Sequence, residues 1–146
     1  MSIEDDVALL ERVPTLRVLG RESLRMVAIG SEQRLFPRDA VLFQAGEEAD
    51  SGFVVQRGAF RVEDGGAVLV AGPGALIGEL ALINAMRRPS TATAVEDSSV
   101  IRVSRSLFQR VLESDPAAAR RLRDEFARRT SQIASDILIA GAKLST

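Results

Sequence analysis

Apolar and polar positions divide the chain into three sections. Up to about Gly30 the spacing is helical. Leu9, Leu10, Val13 and Leu16 make a partly apolar face broken at Pro14. Leu24, Val27 and Ala28 fall on one side of a second segment, Arg21 to Ile29, set between Gly20 and Gly30. Ser2 is placed to cap the first helix, with acids from Glu4 to Asp6 in the turn that favours negative charge. From Leu35 to Val103 the rhythm shortens. Apolar or β-branched runs recur at 40–43, 53–55, 60–62, 67–70, 91–95 and 99–103, divided by turn formers such as Gly46, Gly58 and Gly72-Pro73-Gly74. Short strands at such spacing predict a sandwich or barrel, in which Leu69 and Val70 read as core. Asp64-Gly65 is the clearest hairpin signal, because glycine supplies the positive φ of a tight turn.

The third section returns to helix. Ser104 can cap residues 105–113, with Leu107, Val111 and Leu112 inward. Asp115 and Pro116 then restart the chain, since proline at the first helical position sacrifices no hydrogen bond. A long helix is predicted from there to about residue 140. Its apolar row, Leu122, Phe126, Ile133, Ile137 and Ala140, is heptad-like except at Arg129. That row suits internal packing or a homodimer seam equally. The pattern describes one domain over 1–146, mainly β with flanking helices: N-terminal helices over 1–34, a barrel over 35–103 and C-terminal helices over 104–146.

One stretch breaks the strand rhythm. Glu79 to Ile83 has helix formers enough for little more than one turn. A helical turn between strands offers free N–H groups and a dipole to an anion. A later arginine completes such a site, because guanidinium meets phosphate with paired hydrogen bonds. Glu79 fits beside a phosphate only if it accepts from a sugar hydroxyl. Acid for ribose and arginine for phosphate together describe a nucleotide.

Composition narrows the chemistry. Cys, His, Trp and Tyr are all absent, so disulfides, thiolate or imidazole metal ligands and histidine-based catalysis are excluded. This favours a binding module over an enzyme. The 19 basic and 20 acidic side chains leave a net charge of −1, without the basic excess of a nucleic-acid binder. Direct DNA binding is therefore not expected, and the arginines from Arg120 to Arg129, mixed with Asp124 and Glu125, read as a solvated helix face. No apolar run approaches the ~20 residues of a membrane span, and the acidic N-terminus is unlike a secretory signal, which predicts a cytoplasmic protein without a membrane anchor.

The segment GELALINAMRRPSTATA (78–94) resembles the phosphate-binding cassette of the cyclic-nucleotide-binding family, within a cassette region taken as 78–91. That family includes catabolite-activator-type regulators, cAMP-dependent kinase regulatory subunits and cyclic-nucleotide-gated channels. The flanks FPRDAVLFQAGEEADSGFVVQRGAFRV (36–62) and VIRVSRSLFQRVLESDP (100–116) are similar too, so the resemblance spans roughly residues 8 to 135. It implies a double-stranded β-helix, or jelly roll, with a cyclic nucleotide as ligand and no cofactor. It further implies that Gly78 lets the backbone approach the ribose and that Glu79 accepts from the 2′-hydroxyl. The amides of Leu80 and Ala81 would face the sugar and phosphate. Counting from Gly78 as in the kinase and channel versions places the phosphate arginine at Arg88, with Arg87 turned to solvent.

Departures from the family pattern are also legible. Pro89, directly after the arginine, has no N–H for the phosphate, and the Ser90 hydroxyl stands ready to compensate. Family members selective for cGMP often carry Thr at that position, so Pro89 favours cAMP over cGMP. Paired hydroxyl residues that cap adenine in the bacterial activator correspond to Ile133 and Ala134, leaving an apolar lid or one from Arg128 or Arg129. Asp39 and Ala75 stand where Gly and Asp are commoner. The resemblance implies a regulatory module that signals through movement of its C-terminal helices, and with no effector segment after the last helix the chain reads as a stand-alone sensor acting on a separate effector protein or as a piece of something larger. An interaction or dimerisation domain that keeps the fold without the ligand is the alternative.

Overall fold

The computed structural model describes residues 2–129 and 137–139. Three helices lead: α1 (Ile3–Leu10), α2 (Pro14–Arg17) and α3 (Arg21–Gly30). Ser2 caps α1 reciprocally, its hydroxyl accepting from the Asp5 amide at 3.1 Å while the Asp5 carboxylate accepts from the Ser2 amide. Strands follow as β1 (Glu32–Phe36), β2 (Val41–Phe43), β3 (Glu48–Ala49), β4 (Ser51–Arg57), β5 (Phe60–Asp64), β6 (Ala67–Ala71) and β7 (Ala75–Ile77). A 3-10 turn, Glu79–Leu82, precedes β8 (Met86–Arg87), β9 (Thr91–Ala94) and β10 (Ser98–Ser104). Helices α4 (Arg105–Ser114) and α5 (Pro116–Arg129) and a short strand β11 (Ile137–Ile139) complete the described chain.

All strand pairs are antiparallel, in sheets ordered β1-β10-β4-β7-β11 and β2-β9-β5-β6 with a β3-β8 pair beside them. This is the jelly-roll-like, mainly β architecture expected, with helices against one sheet. Alternation along the strands separates two cores. Val54 of β4, Leu76 of β7 and Ile101 and Val103 of β10 pack with the helices, around Leu10, Leu16, Leu24 and Phe108. Phe53, Val55, Ala75, Ile77 and Val100 point the other way, into the roll with Phe43, Phe60 and Val62. The inner strands β4, β7 and most of β10 are covered on both faces, which is why Phe53 to Val55 and Ala75 to Ile77 are continuous apolar runs rather than alternating ones.

Local signals behave as their chemistry dictates. Gly65 and Gly66, at φ 57° and 98°, form the two-residue link between β5 and β6, with Asp64 opposite Ala67. Asp39 occupies the left-handed region at φ 73°, a conformation aspartate tolerates better than most side chains and the reason glycine suits that position. Ser104 caps α4 by accepting from the Leu107 amide at 3.1 Å. Asp115 starts α5 by accepting from the Ala118 amide at 3.1 Å and from the Ser23 hydroxyl at 3.2 Å. Those donors, the Ala118 amide foremost, hold its carboxyl below the usual value.

Four expectations change. The strand region opens at Glu32, not Leu35, because β1 is an edge strand that pairs with β10 and its first three residues, Glu32, Gln33 and Arg34, are polar. Strands β3, β7 and β8, at two or three residues each, are too short to show a period. Val70 is 56% exposed, because Leu69 and Ala71 of β6 turn toward the roll core and Val70, between them, turns outward. The long helix is described as far as Arg129, and residues 137–139, expected to lie in it, form β11. Residues Ile137, Leu138 and Ile139 instead pair with Ile77, Leu76 and Ala75, which satisfies backbone groups along β7 and suits β-branched residues. Of the heptad-like row, Leu122 is buried and Phe126 packs on the helical core, so this half of the row serves the chain's own interior. Ile133, Ala134 and Ala140 lie outside the described residues. No helix among the described residues is long and apolar enough to cross a membrane.

Candidate functional site

The turn after β7 is set by Gly78, whose φ of 85° only glycine adopts without strain. A side chain here would also meet its surroundings. A Cβ would lie 2.6 Å from Arg88 Nη1 and 3.2 Å from the Ser51 carbonyl oxygen. The missing side chain thus lets the Gly78 backbone and the Arg88 guanidinium approach each other.

Arg88 is 4% exposed. Its guanidinium carbon lies 4.3 Å from the Phe43 ring centroid and 5.5 Å from that of Phe53, so the cation rests on two aromatic faces. Its Nη2 donates to the Ser51 carbonyl at 2.9 Å. The backbone is held as firmly: the Arg88 amide donates to the Glu47 carbonyl at 2.7 Å, and the Gly46 amide donates to the Arg88 carbonyl at 2.8 Å. A cleft of about 500 Å³ opens between β2, β3, β4 and β10, with Phe43, Ser51, Phe53 and Arg88 in its wall. That volume lies within the roughly 300–1,000 Å³ range of small-molecule sites. Arg87 is exposed and donates to the Gly46 carbonyl at 2.9 Å, pointing away from this wall.

The other expected residues divide. Ser90 is fully buried, whereas Pro89 is exposed. Leu80 is half-buried in the 3-10 turn. The Ala81 amide donates to the Gly78 carbonyl at 3.2 Å, so it closes the turn instead of facing outward. Glu79 is 2% exposed, and its Oε2 accepts from the Thr15 hydroxyl of α2 at 2.5 Å. The acid is thus turned toward the N-terminal helices. The structure brings Gly78 and Arg88 together and holds Glu79 against α2.

Sequence reasoning missed Thr15, Phe43, Ser51, Phe53 and Arg105. Nothing near Thr15 in the chain signals a partner at Glu79, and the two phenylalanines read simply as strand core. Arg105 is the larger omission. Its Nη1 lies 2.9 Å from the Ala49 carbonyl oxygen, 3.1 Å from that of Ala81 and 2.9 Å from that of Asn84, and its amide donates to the Asp50 carbonyl at 2.7 Å. The first residue of α4 therefore hydrogen-bonds the turn that carries Glu79 and the residue just after it.

Comparison with known proteins gives this geometry a context. The family model described as a cyclic nucleotide-binding domain matches residues 33–115. An uncharacterized NTE family protein of Mycobacterium tuberculosis is 33% identical over 109 residues, covering 73% of this chain and 19% of that protein. A cyclic nucleotide-gated potassium channel of Mesorhizobium japonicum is 32% identical over 127 residues, 87% of this chain and 36% of the channel. Among solved structures, a cyclic nucleotide-binding-like protein from Brucella abortus superposes with a TM-score of 0.68 at 34% identity, covering 75% of this chain and 98% of that one. The chain thus spans about a fifth to about a third of the length of these two curated relatives.

Proposed function

Since the chain belongs to the cyclic nucleotide-binding domain family, we propose that it is a regulatory sensor of cyclic nucleotides and not an enzyme. The observation that carries this reading is Arg88: a guanidinium buried on two aromatic rings and backed by a glycine with no room for a side chain. In so dry a setting a cation binds phosphate far more strongly than it does in water. The cyclic phosphate would sit on Arg88 with Ser90 in support, Gly78 would admit the ribose, and Glu79 would accept from the 2′-hydroxyl. The Leu80 and Ala81 turn would follow the ligand, with the Ala81 amide released from Gly78 or left in the turn. Pro89 favours cAMP over cGMP as the ligand, for it supplies neither N–H nor hydroxyl next to the phosphate.

The output would be a shift of the C-terminal helices, read by an effector protein. Two contacts support it: Arg105 joins α4 to the cassette turn, and β11 pairs with β7 immediately ahead of Gly78. A ligand that draws in the turn must bias both. The absence of cysteine permits a clean test with spin labels on Ala67→Cys, in β6, and Arg123→Cys, in α5, both exposed. The distance between labels shifts saturably with cAMP, and at higher concentration with cGMP. An unchanged distance distribution with either nucleotide at saturation contradicts the proposed output.

A further inference from the structure

The Glu79 carboxylate accepts from the hydroxyl of Thr15, 64 positions away in the chain. Both side chains are buried, Thr15 at 1% and Glu79 at 2% exposure. Thr15 is itself held rigidly. It is the second residue of the four-residue helix α2, opened by Pro14 and flanked by Val13 and Leu16 in the helical core. From the other end, Arg121 of α5 donates to the carbonyls of Val18 at 2.7 Å and Leu19 at 3.2 Å.

The chemistry of the pair is specific. The last torsion of a glutamate side chain is soft and nearly two-fold, so a carboxylate without a fixed neighbour samples many planes. A threonine is restricted at χ1 by its branched Cβ, so its oxygen occupies few positions while its hydroxyl turns to donate. A hydroxyl so placed, donating to Oε2, favours one plane of the carboxylate. Each carboxylate oxygen has two acceptor sites, and the Thr15 bond takes up one of them. Burial makes the orientation costly to lose, because rotation would leave the Thr15 hydroxyl unsatisfied.

We propose that Thr15 is a positioning residue for ligand recognition: through Glu79 it sets how sharply the site distinguishes a ribose from a 2′-deoxyribose. This rests on the reading of Glu79 as the acceptor for the 2′-hydroxyl. It also makes α2, outside the segment matched by the family model, part of the specificity apparatus.

The test compares cAMP with 2′-deoxy-cAMP by calorimetry. The wild-type chain prefers cAMP by on the order of tenfold or more, the scale of a hydrogen bond to a charged group. Thr15→Val, which keeps the shape and removes the hydroxyl, brings that ratio to within about threefold, by weakening cAMP binding while leaving 2′-deoxy-cAMP nearly unaffected. Thr15→Ser retains the preference. In a Glu79→Gln background Thr15→Val has no further effect on the ratio, as a residue acting through Glu79 requires. An equal loss for both ligands, or a ratio unchanged in Thr15→Val, overturns the proposal, since a merely structural contact gives one of those results. Should Thr15→Val not fold, Thr15→Ala, which likewise removes the hydroxyl, is read for the same ratio alone and in the Glu79→Gln background. Failure of the reading beneath it looks different. A wild-type chain that binds neither nucleotide, or binds both equally, removes Glu79 as ribose acceptor and the role of Thr15 with it.

Discussion

Arg88→Gln lowers the affinity for cAMP by roughly 100-fold or more while the chain remains folded, when both are measured by calorimetry and thermal unfolding. The guanidinium lies on Phe43 and Phe53 and donates to the Ser51 carbonyl, so it is present in the wall of the cleft before any ligand arrives. Glutamine retains an amide donor for Ser51 but neither the charge nor the planar fork that pairs with two phosphate oxygens. A hydrogen bond to a charged group is worth about 1.5–3 kcal/mol, and a buried site keeps most of it unscreened. A 100-fold loss corresponds to about 2.7 kcal/mol, inside that range for a paired contact. The cation–π attraction that disappears with the charge contributes mainly to stability, by about 1–2 kcal/mol, and its removal appears as a lower melting temperature. An Arg88→Gln chain that binds cAMP within about threefold of the wild type would remove the phosphate from this position.

Gly78→Ala damages stability and binding together. At φ 85° an alanine carries a penalty of roughly 1–2 kcal/mol from the left-handed conformation alone. Its Cβ would also stand 2.6 Å from Arg88 Nη1, closer than atoms tolerate, and 3.2 Å from the Ser51 carbonyl oxygen. The backbone carbonyl cannot yield, so the guanidinium must move. Cyclic-nucleotide affinity falls at least about tenfold and the melting temperature falls by about 5 °C, on the usual conversion for a domain of this size. Gly66→Ala, in the turn between β5 and β6, is the control. It too lies at positive φ, 98°, but a Cβ there meets nothing within 4 Å. It should lower stability modestly and leave nucleotide affinity unchanged, which separates backbone strain from displacement of Arg88.

The parts of this protein that were legible in the sequence are those whose partners lie nearby in the chain. Ser2, Ser104 and Asp115 cap helices within three residues of themselves, so residue type and spacing suffice. The cassette is legible for a similar reason: Gly78, Glu79 and Arg88 come from one continuous stretch, and a positive-φ glycine, an acid and an arginine there are a compact chemical signature. Strand β5, with Phe60 and Val62 inward and Arg61 and Glu63 outward, shows the period of two directly.

What the sequence does not display depends on long-range contacts. Strand β7 is buried on both faces and only three residues long, so Ala75-Leu76-Ile77 gives no alternation to read. Strand β1 opens on three polar residues, and only their pairing with β10 makes them strand. In the C-terminal segment an i, i+4 apolar pattern reads as helix, but Ile137-Leu138-Ile139 lies against an available edge of β7, and backbone pairing there overrides the periodicity. Thr15 and Arg105 reach Glu79 and the carbonyls of its turn from elements remote in sequence, and a side chain that positions another leaves no local pattern.

Calorimetric titration of the full chain with cAMP, with 5′-AMP as the control, tests the central claim most directly. The geometry of Arg88 and Gly78 predicts saturable one-to-one binding of cAMP and much weaker binding of 5′-AMP, whose open phosphate does not present the cyclic diester. No saturable heat with cAMP, at protein concentrations that detect micromolar affinity, would contradict the sensor reading and leave the fold as a scaffold for protein contacts alone.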